Sequence, residues 1–314
     1  MSPPNGTDLI VLDGLHKSHG PVPAVRGLSL SVPAGRICGL IGPDGAGKTT
    51  AMRVLCGLLR ADRGTARVMG HDCATEAGEV KRHLGYMPQR FSLYPDLTVG
   101  ENLRFFAELF DVPPAERRKR DAELMAFSRL EPFRGRRAGQ LSGGMKQKLA
   151  LSCTLIHTPA VLILDEPTTG VDPVSRREFW RILRELAGDG LALLVSTPYM
   201  DEAALCDEVV LMHAGRALAQ GSPAAVAASF PRRLLEVTAP DLVAAAGALR
   251  AARIAGLDVQ RYGDRLHLVH DDQAQADAAA QALAGTGAAL APLAAGVEDV
   301  FVEMMARADA EVAS

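Results

Sequence analysis

Aromatic residues are scarce in this chain, 4% of 314 residues with a single tryptophan. That leaves little material for a platform on which single-stranded bases could stack. An excess of one charge is also missing. The 34 Lys and Arg against 37 Asp and Glu give a formal net charge of −3, which argues against broad electrostatic binding of nucleic acid. No apolar run reaches the ~18–20 residues needed to cross a bilayer. The five cysteines (Cys38, Cys56, Cys73, Cys153, Cys206) are scattered and contain no C-x-x-C pair. They suit free thiols in a reducing cytosol better than a disulfide framework or a zinc site. Residues 1–13 lack a basic stretch followed by an apolar one, so no secretory signal is expected. What remains is an ordinary mixture, 48% hydrophobic and 23% charged, with enough length for roughly two domains and a substantial core.

Short apolar runs alternate with helical patterns up to about residue 220. Leu9-Ile10-Val11-Leu12, Ile37-Cys38-Gly39-Leu40-Ile41, Val161-Leu162-Ile163-Leu164 and Leu191-Ala192-Leu193-Leu194-Val195 read as strands. The later ones are apolar on both faces, as in a mostly parallel sheet covered by helices. Ala51, Leu55, Leu58 and Leu59 then recur at helical spacing, giving an α/β arrangement. Residues 90–140 read as a helical insertion. Thr98-Val99-Gly100-Glu101 fits a capping box, Leu103, Phe106, Ala107 and Phe110 form a stripe, and Pro113-Pro114 ends it. The charged run at 116–120 reads as a solvated helix face. Beyond Gly221-Ser222-Pro223 the composition shifts towards alanine. Leu234 to Thr238 is strand-like, Asp241 is a candidate N-cap, and Val259 to His270 alternates about Gly263-Asp264 as in a hairpin. A β-α-β-β-α-β order there would make a small ferredoxin-like α+β domain over 230–314.

Gly42-Pro43-Asp44-Gly45-Ala46-Gly47-Lys48-Thr49 matches G-x-x-x-x-G-K-[ST] between an expected strand and an expected helix. Glycines let the backbone curl so that successive N–H groups face a polyphosphate, and the helix N-terminus adds partial positive charge. Lys48 would reach the β- and γ-phosphates, and the Thr49 hydroxyl is placed to ligate Mg²⁺. With Thr50, these nine positions form the candidate phosphate-binding set. The strand at 161–164 runs into Asp165-Glu166. A carboxylate pair ending a buried strand is costly without a charged partner. Beside a phosphate cradle, Asp165 would contact Mg²⁺ or its water, and Glu166 would polarise an attacking water as general base.

Leu141-Ser142-Gly143-Gly144-Met145 precedes that strand and closely resembles the LSGGQ signature of ATP-binding-cassette (ABC) ATPases. The resemblance covers about residues 7–222. It implies a P-loop NTPase fold, with a mostly parallel sheet, an antiparallel β part and a helical subdomain at about 90–140. It also implies ATP and Mg²⁺ as ligands and two nucleotide-binding domains facing head to tail. Each ATP would lie between the P-loop of one domain and Ser142, Gly143 and Gly144 of the other. Ser142 can cap a helix whose N-terminus presents N–H groups to a γ-phosphate. By resemblance Gln89, in Tyr86-Met87-Pro88-Gln89, is the Q-loop glutamine that reports on Mg²⁺ and the attacking water, and Asp172 belongs to the D-loop. The implied catalytic set is Glu166, Lys48 and Gln89; the implied metal set is Thr49, Gln89 and Asp165. Asp44, Leu97-Thr98-Val99 and the C-terminal extension look most like ATPases of ABC-2-type exporters, including multidrug efflux systems.

Three positions depart from the family pattern. Met145 replaces the final glutamine of the signature and cannot reach back to the cap as glutamine would. His19 stands where an adenine-stacking aromatic is usual; it either stacks or is a solvated loop residue. Pro198 stands where the switch histidine is usual, and it offers neither a polar side-chain atom nor a backbone N–H. Hydrolysis at this chain's own P-loop is therefore expected to be slow, unless Tyr199 or a water replaces the missing donor. The resemblance implies an ATPase subunit on the cytoplasmic face of a membrane, with permease subunits on separate chains and a second nucleotide-binding domain, identical or not. The competing expectation is a regulatory subunit that binds ATP and donates its signature to a different, intact ATPase.

Overall fold

The computed structural model describes residues 8–90 and 93–313, with side chains to residue 308. Most of the N-terminal stretch read as carrying no secretory signal, and residues 91 and 92 near the expected start of the helical insertion, lie outside the described residues. The chain divides into two units, Met1–Pro223 and Ala224–Ser314.

In the first unit, β1 (Asp8–His19) and β2 (Val22–Pro33) pair antiparallel. Leu28, Leu30 and Val32 point inward while Ser29 lies exposed between them, the period-2 signature of a half-buried strand. Next come β3 (Ile37–Ile41), α1 (Lys48–Leu55), β4 (Arg63–Val68), β5 (His71–Asp72), α2 (Ala77–His83) and β6 (Leu84–Met87). Three helices follow: α3 (Val99–Leu109), α4 (Pro114–Ser128) and α5 (Gly143–Leu155). The unit closes with β7 (Val161–Asp165), α6 (Pro173–Gly188), β8 (Ala192–Thr197), β9 (Glu208–His213) and β10 (Arg216–Gly221).

Two sheets result. One has the order β2-β1-β4-β5 and is antiparallel; the other has the order β10-β9-β3-β8-β7-β6. Its strands are parallel except where β10 meets β9. Every residue of β3, β7 and β8 is buried, which matches sequences that are apolar except for Asp165 at the end of β7 and Ser196-Thr197 at the end of β8. Leu12, Leu28, Leu40, Met52, Leu55, Ile163 and Leu194 share one core, so α1 is packed where the two sheets meet. That places the ends of β3, β7 and β8 beside the first turn of α1.

Two local expectations change. The helix α1 stops before Leu58 and Leu59, whose amides both turn back to the Arg53 carbonyl (2.9 and 3.2 Å); Leu59 still packs on the α1 core, while Leu58 is left 54% exposed. The charged run at 116–120 is not simply solvated. Arg117 pairs with Glu108 at 2.8 Å, and Arg120 donates to the Ile156 carbonyl at 3.1 Å while pairing with Glu116. The helical core also runs past residue 140, since Leu149 and Cys153 of α5 pack with Val99, Leu103, Ala107 and Met125. All five cysteines are free and buried.

The second unit contains all but the first residue of α7 (Pro223–Ala228), then β11 (Arg233–Thr238), α8 (Leu242–Ala252), β12 (Asp258–Tyr262), β13 (Arg265–His270), α9 (Gln273–Ala282), β14 (Ala289–Leu293) and α10 (Val297–Ala313). Its sheet has the order β12-β13-β11-β14 and is antiparallel throughout. With a helix after β11 and another after β13, this is the split β-α-β arrangement of a ferredoxin-like fold. Val237, Leu249, Leu266, Leu268, Ala279 and Leu283 form its core.

Candidate functional site

The turn from β3 into α1 is shaped for close backbone approach. Gly47 sits at φ 101°, and a Cβ there would lie 2.2 Å from the Ala24 carbonyl oxygen, so neither the conformation nor the space admits a side chain. Gly47 also leaves α1 without a side-chain cap, and no acidic residue occupies its first turn. The orphan N–H groups of that helix start remain available to an anion. Ala24, His19, Asp44, Gly45, Ala46, Gly47, Lys48, Thr49, Thr50, Gln89 and Glu166 line a cavity of about 410 Å³ over this turn.

Lys48 lies almost wholly inside the protein, 3% exposed. Its Nζ donates to the Gly42 carbonyl at 2.7 Å and the Pro43 carbonyl at 3.0 Å, and faces Glu166 Oε1 at 3.4 Å. Glu166, 6% exposed, has its other oxygen held as well: Gln89 Nε2 donates to Oε2 at 2.8 Å and Thr169 Oγ1 at 3.3 Å. Residues 48, 89 and 166 therefore meet although they are far apart in sequence. Removing either ionic partner would leave the other charge buried and uncompensated, at ~3–5 kcal/mol.

Glu166 adopts φ +51°, a left-handed conformation uncommon outside glycine. It is held there by Ser196, whose carbonyl and hydroxyl accept the Glu166 amide at 3.1 and 3.0 Å. The same Ser196 hydroxyl donates to Asp165 Oδ1 at 2.6 Å. Thr49 Oγ1 donates to that oxygen at 3.1 Å. Asp165 Oδ2 is buried and has no hydrogen-bond partner among the described residues. An orphaned carboxylate oxygen beside a threonine hydroxyl is a set of hard oxygen donors that fits Mg²⁺. Ser196 and Thr169 were not singled out in the sequence. The signal for Ser196 was its place near the end of an apolar strand, two residues before Pro198.

Ser142, Gly143, Gly144 and Asp172 do not line this cavity. Ser142 is exposed and caps α5, accepting the Met145 amide at 3.4 Å. The Met145 side chain turns away and packs on the apolar core of α3–α5, so the second half of a capping box is absent. Asp172 caps α6, accepting amides from Val174 and Ser175 at 3.1 and 3.0 Å. Hydrogen bonds from Ser175, side chain first and then amide, hold its carboxyl below the usual carboxylate range. The two helix starts touch. A Cβ on Gly144 would meet Ser175 at 2.6 Å, and only glycine permits that approach.

His19 ends β1, exposed on the cavity rim, with its Nε2 3.3 Å from Thr50 Oγ1. It is a strand residue rather than a loop residue. Pro198 follows β8 directly. Tyr199 is already engaged: its amide donates to Thr197 Oγ1 at 3.0 Å, and the Arg176 guanidinium lies over its ring at 4.3 Å. Met52 and Trp180 are buried packing residues, and His213 ends β9.

A protein-family profile described as ABC transporter matches residues 25–169. The multidrug ABC transporter ATP-binding protein YbhF of Escherichia coli strain K12, named as probable, is 51% identical over 234 residues, 74% of this chain and 40% of that protein. The daunorubicin/doxorubicin resistance ATP-binding protein DrrA of Streptomyces peucetius is 40% identical over 245 residues, 78% of this chain and 74% of that one. The chain belongs to the ABC transporter family. Its ATP-binding members are ATPases, and the chain carries their fold. The structure of cbiO1 from Clostridium perfringens, described as part of the ABC transporter complex cbiONQ, superposes with a TM-score of 0.66 at 26% identity, covering 71% of this chain and 91% of that one. The chain spans 40% of the length of the YbhF relative. Among the described residues no helix is long and apolar enough to cross a membrane.

Proposed function

We propose that this chain is the ATP-binding and ATP-hydrolysing subunit of an ABC exporter. The observation that carries the proposal is the convergence of Lys48, Gln89 and Glu166 on one cavity over the uncapped start of α1. A triphosphate entering there meets backbone N–H donors and the Lys48 ammonium. Phosphate oxygens replace the Gly42 and Pro43 carbonyls and the Glu166 carboxylate as partners of Lys48. Glu166, so released, accepts a proton from the water that attacks the γ-phosphate. Gln89 orients that water. Thr49 and Asp165 would hold Mg²⁺, which neutralises charge developing on the phosphates. His19 lies on the rim where an adenine ring could stack.

In this proposal residues 7–222 form the nucleotide-binding domain, with the helical subdomain at about 90–140, and 230–314 form an accessory domain. Ser142, Gly143 and Gly144 sit outside the chain's own cavity, which supports their use on the nucleotide of a second nucleotide-binding domain. Asp172 caps the neighbouring helix at the same face. Association and separation of the two domains would drive permease subunits on separate chains, at the cytoplasmic face of a membrane. The names of YbhF and DrrA support drug export as the transport class, and the cbiO1 description supports assembly into a complex.

A second reading rests on Pro198. Pro198 offers no donor, and the ring of Tyr199, the next residue, lies under Arg176. Such a chain would bind ATP, turn it over slowly, and lend its signature to an intact partner. Magnesium-dependent ATP hydrolysis by the purified chain, alone and mixed with a candidate partner ATPase, separates the two. Robust turnover alone that is abolished by Glu166→Gln supports the catalytic subunit. Turnover that appears only with the partner and survives Glu166→Gln supports the regulatory one.

A further inference from the structure

Away from the P-loop cavity, the first unit brings two histidines and a glutamate together. His71 lies on β5, while Glu79 and His83 lie four residues apart on α2 and so share one helix face. One potential ligand atom from each, a ring nitrogen or a carboxylate oxygen, falls within 4.8 Å of the other two. The two imidazoles are parallel within 5°, with centroids 6.0 Å apart. All three residues are partly exposed, so an ion can enter from solvent.

Glu76 supplies a second, independent observation. Its Oε1 lies 3.0 Å from His71 Nδ1, and its Oε2 accepts the Asp72 amide at 2.9 Å. A carboxylate on Nδ1 fixes the proton there and leaves Nε2 as a lone-pair donor. This is the arrangement that orients imidazoles bound to metal ions.

We propose that His71, Glu79 and His83 bind a divalent transition-metal ion of the zinc type, with Glu76 as the positioning residue for His71. Two imidazoles, one carboxylate and a water make a donor set suited to Zn²⁺. Mg²⁺ takes oxygen ligands, so this site is chemically distinct from the Thr49–Asp165 pair. In a tetrahedral shell with bonds of ~2.0–2.1 Å, neighbouring ligand atoms lie closer together than 4.8 Å. Closing the site therefore needs side-chain movements of about an ångström. Arg82 holds Glu79 at 2.8 Å, but its side chain is 73% exposed and can turn into water. The ion would tie β5 to the last residue of α2. That residue directly precedes β6, the strand that leads to Gln89.

The test uses the full chain, stripped with a chelator and titrated with Zn²⁺ by calorimetry in excess Mg²⁺, added to compete for the Thr49–Asp165 pair. One saturable site is expected. His71→Ala and His83→Ala should each weaken it at least ~10-fold, and Glu76→Gln by ~10-fold, the range for an outer-shell partner. Zinc should also raise the melting temperature of the wild-type chain but not of the His71→Ala/His83→Ala variant. Melting curves recorded without zinc verify that each variant is folded. Absence of saturable zinc binding, or equal affinity in the folded double variant, overturns the site. Unchanged affinity in Glu76→Gln overturns the positioning role.

Discussion

The helices α1 and α5 both begin at small residues suited to meet phosphate, yet their surroundings differ. At α1, the buried Lys48 makes polar contacts to Gly42, Pro43 and Glu166, and Glu166 is tied in turn to Gln89, Thr169 and Ser196. At α5, Ser142 is exposed and makes one long capping contact, and the helix meets α6 through Gly144. The first start is organised by its own chain before any ligand arrives. The second is held in place but turned outward, and under the proposed function it meets the nucleotide of a second domain. A preorganised site gains most from its fixed charges; an exposed one depends on the surface brought against it.

The sharpest break of this contrast is Glu166→Gln. It keeps the shape of the side chain and removes its proton affinity. Turnover should fall by ~10²–10⁴, the range for a general base, while ATP affinity measured by calorimetry is retained. Comparable loss of both would mean that Glu166 holds nucleotide rather than activating water. Pro198→His comes next. It supplies the absent donor beside Thr197, and turnover should rise by up to ~10². An unchanged rate would show that a group other than the switch position already serves the γ-phosphate.

Ser142→Ala addresses the outward-facing start. Loss of the cap should cost ~0.5–1 kcal/mol of stability, at the low end for a cap because the contact is long. ATP affinity of the isolated chain should not change, whereas turnover in the assembled pair should drop. A loss of affinity in the isolated chain would place Ser142 at its own nucleotide and remove the contrast. The smallest effect concerns Asp172. Its carboxyl is held below its usual value, so the stabilisation from the α6 cap is present above the unfolded-state pKa and disappears as pH falls through the folded value. Asp172→Asn should flatten the acid limb of a melting-temperature profile slightly, and an identical limb in both chains would contradict that role.

Much of this arrangement was legible in the sequence, for identifiable reasons. Strands buried on both faces announce themselves, and β3, β7 and β8 are apolar at almost every position. The phosphate loop is legible because its glycines and lysine are contiguous, and the capping box at Thr98–Glu101 because it is local; both of its hydrogen bonds form, at 2.8 and 3.2 Å. The antiparallel strand β4, Arg-Gly-Thr-Ala-Arg-Val, was not legible, since only Ala66 and Val68 are buried and pairing with β1 decides its state. Ser196 was hidden for a related reason. A serine ending an apolar strand gives no sign that its hydroxyl will join Asp165 to the Glu166 amide across about thirty residues. Arg176 stacking on Tyr199 is likewise a consequence of packing alone.

The most direct test is calorimetric titration of the folded full chain with ATP, with and without magnesium, beside Lys48→Ala and Thr49→Val. Saturable binding that is strengthened by magnesium, lost or severely weakened in Lys48→Ala, and no longer sensitive to magnesium in Thr49→Val is the expected result. A well-folded wild-type chain with no affinity for magnesium-ATP, or a folded Lys48→Ala variant that binds as tightly as wild type, would contradict it.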